Sequence, residues 1–80
     1  MFKNKHNGRN NICGELVREL RVNYPERLSQ RALADKLQLI GIDVDKNAVQ
    51  RIESGRRFVT DIELKAIAEV FGVSVESLIK

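Results

Sequence analysis

The sequence predicts an all-α fold of five short helices in one compact domain, and three observations carry that prediction. One local code occurs four times: an aliphatic residue, a capping residue, and a second aliphatic residue four positions beyond the cap. The instances are Leu28-Ser29…Leu33, Val44-Asp45…Val49, Val59-Thr60…Leu64 and Val73-Ser74…Leu78. A glycine follows three of the apolar rows, at Gly41, Gly55 and Gly72, where a helix can stop. Outside the short bridge 42–44 there is no alternation of the kind a strand requires.

Taken in order, Met1 to Asn11 is polar, rich in asparagine and without a hydrophobic period. It is expected to be a structureless basic tail, the alternative being an arm that follows DNA phosphates or enters a minor groove. The domain is expected over 12–80. Ile12, Leu16, Val17 and Leu20 repeat at helical spacing and predict a first helix from about Asn11 to Val22. Pro25 stops propagation. Ser29 caps a second helix with Leu33, Ala34, Leu37 and Ile40 as its buried row and Gly41 as its stop. Asp45 caps the third, which buries Ala48, Val49 and Ile52 and ends before Gly55. Thr60-Asp61-Ile62-Glu63 forms a capping box for the fourth, whose core face is Leu64, Ile67, Ala68 and Phe71. A last short helix begins at Ser74 and ends near Ile79.

Eighty residues with 42% apolar content set one soluble domain, in which only about 60% of the unfolded surface is buried. The single cysteine, Cys13, excludes an intrachain disulfide and fits a reducing cytoplasm. No apolar run approaches the roughly 18 residues of a membrane helix, and the polar N-terminus is no signal peptide. A cytoplasmic protein without membrane contact is therefore expected. Net charge is +3, unevenly placed. Residues 1–11 and residues 46–57 each carry +3, and the rest is neutral to acidic. Two basic patches on such a body suggest a polyanion met by one side.

The third helix points to what that polyanion is. Opposite its buried row it carries Lys46, Asn47, Gln50 and Arg51. Arginine or lysine can donate twice to guanine O6 and N7, and asparagine or glutamine can pair with adenine N6 and N7. Four long donors on a short helix suit a major groove. Lys46 serves equally as a phosphate contact, and Asn47 near a helix start has the alternative of bonding neighbouring backbone.

With the helices placed, the chain resembles the phage-repressor/Cro-like (XRE-type) helix-turn-helix family. The resemblance rests on Leu28-Ser29-Gln30-Arg31-Ala32-Leu33-Ala34 and Ala48-Val49-Gln50-Arg51-Ile52-Glu53-Ser54-Gly55-Arg56-Arg57. It continues through Leu64-Lys65-Ala66-Ile67-Ala68-Glu69-Val70-Phe71-Gly72-Val73-Ser74 to Leu78-Ile79. It implies a five-helix lambda-repressor-like DNA-binding domain in which Lys46, Asn47, Gln50 and Arg51 read bases. It also implies phosphate contacts by Gln30 and Arg31 at the second helix start, and by Arg56 and Arg57 in the loop after the third. Glu53 resembles the acid that ties the recognition helix to an arginine of the first helix, here Arg21, with Arg18 as the competitor. Two departures stand out: a lengthened turn over Gln38–Val44, expected to add core through Leu39, Ile40 and Ile42, and a long link containing Pro25.

The resemblance implies a transcriptional repressor bound as a homodimer to a palindromic operator in double-stranded DNA. Val75, Leu78 and Ile79 are candidates for the dimer contact or, equally, cover for the fourth helix. The alternative is a protein-interaction module, such as an antitoxin or a regulator that recruits a partner. Enzyme chemistry finds no support. His6 is the only histidine, Cys13 has none near it in sequence, and no cluster has metal-ligand spacing. No cofactor is expected. Base stacking as in RNA recognition is also poorly served, with four aromatics of which Phe58 and Phe71 read as core.

Overall fold

A computed structural model describes residues 8–79. Five helices follow one another: α1 (Gly14–Val22), α2 (Gln30–Leu39), α3 (Lys46–Glu53), α4 (Asp61–Phe71) and α5 (Val75–Leu78). Each of α2 to α5 starts at a side chain that takes an otherwise unpaired backbone N–H. Ser29 accepts from Ala32, Asp45 from Ala48, Thr60 from Glu63 and Ser74 from Ser77. Thr60 and Glu63 complete a reciprocal capping box. The stops are equally local. At the end of α2 the N–H groups of Gly41 and Ile42 reach back to the carbonyls of Gln38 and Leu37. At the end of α3 those of Gly55 and Arg56 reach Ile52 and Arg51. Both are Schellman closures.

The core gathers one row from each element: Val17, Leu33, Leu37, Val49, Ile52, Ile67 and Leu78 are the largest fully buried side chains. α3 packs against both α1 and α2, α2 also meets α4, and α5 lies against α4. The link between α1 and α2 is held from two sides. Tyr24 meets Phe71 edge-on with ring centroids 6.0 Å apart, and Lys36 lies over the Tyr24 ring.

Four apolar expectations need correction. Ile40 lies outside the buried row of α2, and Leu39 beside it is 86% exposed. Once the Schellman closure turns the chain, only Ile42 folds back onto the core. The longer turn therefore adds one core residue rather than three. Phe58 is 55% exposed, because the loop holding it is pinned by backbone and arginine contacts rather than by its ring. Ile12 is also exposed and precedes α1, which begins at Gly14 because the Asn11 side chain accepts the Gly14 N–H at 2.8 Å. Of the two roles open to Leu78, the structure shows the cover: it is 1% exposed, packs α5 against α4 and is unavailable to a second subunit.

Candidate nucleic-acid interface

α3 is eight residues long and divides cleanly. Ala48, Val49, Ile52 and Glu53 are buried, whereas Lys46, Asn47, Gln50 and Arg51 are exposed. The two sets follow from helical periodicity. Arg31 on α2 lines the same shallow cleft as Lys46, with Asp35, Gln38 and Asp45. The start of α2 and the start of α3 thus share one face.

Glu53 fixes how α3 is presented. Its side chain is 4% exposed, and it accepts from Arg21 Nε at 2.7 Å and Nη2 at 2.9 Å in a bidentate pair. Gln30 Nε2 donates to the same carboxylate at 3.1 Å. Arg21 Nη1 also donates to the Leu28 carbonyl, so the long link around Pro25 is drawn in by the same guanidinium. The hydrogen bond from Arg21 to Glu53 raises the arginine pKa against the opposing effect of burial. Arg18, the other candidate partner, is exposed. One carboxylate therefore joins α1, α2 and α3.

The basic loop after α3 is less uniform than its sequence suggests. The Arg56 guanidinium is exposed and makes no ion pair among the described residues. Arg57 is half-buried and donates through Nη1 to Glu63 Oε1 at 2.8 Å. That hydrogen bond raises the Arg57 pKa. Burial pushes the Glu63 carboxyl up, but the bonds from Arg57 and the Thr60 backbone outweigh it and hold the carboxyl below its ordinary value. Arg57 is thus part of the α4 cap and not a free cation. Gln30 is likewise partly engaged, with one N–H on Glu53 and no other side-chain bond among the described residues.

Three residues that tie α3 down were invisible to sequence periodicity. Arg9, Asn10 and Asn11 fall within the segment read as a structureless tail, yet all three bond to the end of α3 and its loop. Residues 1–7 of that segment, with Lys3, Lys5 and His6, lie outside the described residues. Gly14 is the fourth. A Cβ there would collide with the Ile52 carbonyl, so glycine lets α1 approach α3. The only sequence signal was a glycine in the first turn of a helix.

The arrangement is an exposed row of long donors on a helix locked from behind by a buried ion pair. A family model described as helix-turn-helix matches residues 17–78. The chain belongs to the XRE-type helix-turn-helix family. Comparison with curated proteins and with solved structures finds no match. As a member of this family the chain is a DNA-binding helix-turn-helix regulator. No described helix is long and apolar enough to cross a membrane, and no described cluster of acids, histidine or cysteine has metal-site geometry.

Proposed function

We propose that this helix-turn-helix protein is a sequence-specific regulator, in the sense of a repressor, that reads the major groove with α3. The observation that carries the reading is the exposed row Lys46, Asn47, Gln50 and Arg51 on a helix whose opposite face is buried. Arg51 and Gln50 stand one turn beyond Lys46 and Asn47, so the four donors span the edges of neighbouring base pairs. Gln30, Arg31 and Arg56 flank the row and hold phosphates. Arg57 acts mainly through Glu63, keeping the Arg56 loop in place, and its Nε and Nη2, unbonded among the described residues, can turn to a phosphate.

A single domain of this size reads few bases, so two copies on an inverted repeat supply the specificity. Repression follows by occlusion of a promoter. Of the dimer candidates, Val75 and Ile79 retain exposed surface, and Leu78 does not. The competing reading, a module that binds protein, draws on the exposed Leu39 and on Ile62, which is 68% exposed. Selection of duplexes from a random pool at two salt concentrations separates the two. An enriched inverted repeat with half-sites about 10 bp apart supports the DNA reading. A pool that stays random at both concentrations overturns it.

A further inference from the structure

The end of α3 is closed by a segment that lies before the region matching the family. The last carbonyls of a helix need donors from outside it. In α3 the Gln50 carbonyl receives Ser54 N–H, and the Arg51 carbonyl receives Arg56 and Arg57 N–H and the Ser54 hydroxyl. The Ile52 carbonyl is shared between the Gly55 N–H and the N-terminal segment, and among the described residues the Glu53 carbonyl is served from that segment alone. Asn11 Nδ2 donates to the Ile52 carbonyl at 3.0 Å, and Arg9 Nη2 donates to the Glu53 carbonyl at 2.7 Å. The same three residues continue along the loop. Asn10 N–H meets the Gly55 carbonyl at 2.7 Å, its side-chain Nδ2 meets that of Arg56 at 2.8 Å, and Asn11 Nδ2 also meets that of Arg57 at 2.8 Å.

We infer that Arg9, Asn10 and Asn11 form a strap of positioning residues that sets the orientation of α3 and of the Arg56 loop. Several details favour a built contact over a passing one. The Arg9 side chain lies over Gly55, where a Cβ would strike its guanidinium and where φ is +81°. Asn11 uses its amide nitrogen on α3 and the loop, and its oxygen on the first N–H of α1. It therefore sets the spacing of α1 to α3 at the point where Gly14 allows them to touch. Glu53 is gripped at both ends, its carboxylate by Arg21 and Gln30 and its carbonyl by Arg9. Arg9 places its positive charge at the negative end of the α3 dipole. It is thus turned inward, and the basic-arm alternative does not use it.

The inference rests on the DNA reading for its consequence but not for its geometry, and two measurements on the full chain separate them. Asn11→Asp keeps the oxygen that caps α1 and removes both amide donors, and Arg9→Ala is the second variant. In the free protein, amide exchange at Gly55, Arg56 and Arg57 is expected to quicken at least ~10-fold, with Ile67 and Ala68 of α4 unchanged. On the duplex selected by the wild type, Arg9→Ala is expected to lower the ratio of specific to non-specific affinity about 10-fold, with the salt slope unchanged. Unchanged exchange at the end of α3 overturns the strap whatever DNA does. A salt slope lowered by about 0.9 in Arg9→Ala makes Arg9 a phosphate contact instead. Faster exchange with an unchanged ratio reduces the segment to a stabilising staple and overturns the positioning role. A wild type that prefers no duplex overturns the DNA reading, and the exchange pattern alone then decides the strap.

Discussion

Glu53 does at residue scale what several contacts do elsewhere. Removing one partner of a buried ion pair leaves the other charge without compensation, at a cost of about 3–5 kcal/mol. Glu53→Gln keeps the shape and an acceptor, so a loss near the lower end, about 3 kcal/mol, is expected. Urea unfolding reads it directly; a midpoint unmoved by the substitution would deny Glu53 its joining role. Glu63 offers a pH test. Its carboxyl is held low in the folded chain. It therefore stabilises the fold above the unfolded-state value of about 4.3, and that contribution fades as pH falls through the lower folded value. The stability gap between wild type and Glu63→Gln should be full at pH 7 and should close in acid. A gap of the same size at pH 2 would rule out the Arg57–Glu63 bond as its source.

At the scale of the element, helix starts were legible because capping is a local event. Ser29, Asp45, Thr60 and Ser74 each bond an N–H three residues on, and no distant residue has to cooperate. The exposed face of α3 was legible for the same reason. The fates of Ile12, Ile40 and Phe58 were not, since each depends on where a loop or an end turn leaves the core. The strap was hidden still more deeply: Asn11 and Ile52 are 41 positions apart, and asparagine in a polar run carries no period. Gly14 marks the close approach of α1 to α3. Gly14→Ala must push Ile52 away, at about 1–3 kcal/mol. For a domain of this size a melting temperature lower by about 4–8 °C per kcal/mol is expected. An unchanged melting temperature would mean that α1 and α3 are not in contact there. In the loop, Arg56→Ala should lower the salt slope of DNA binding by about one unit. Arg57→Ala should chiefly lower stability, because its guanidinium is tied to Glu63.

For the whole molecule, the parts resolve into a front and a bracing. The front is the exposed row of α3 with Arg31 and Arg56 beside it; the bracing is Arg21, Gln30 and the N-terminal strap converging on Glu53 and its neighbours. Such rigidity suits the proposed role of meeting base edges without reorganising, since a loosely held helix in that role loses discrimination before it loses charge attraction. The most direct measurement repeats the random-duplex selection with Arg51→Ala. Preference should vanish at one position of each half-site, at a cost of about 1–3 kcal/mol there, and persist at the others. A base preference identical to that of the wild type would show that α3 does not read the groove.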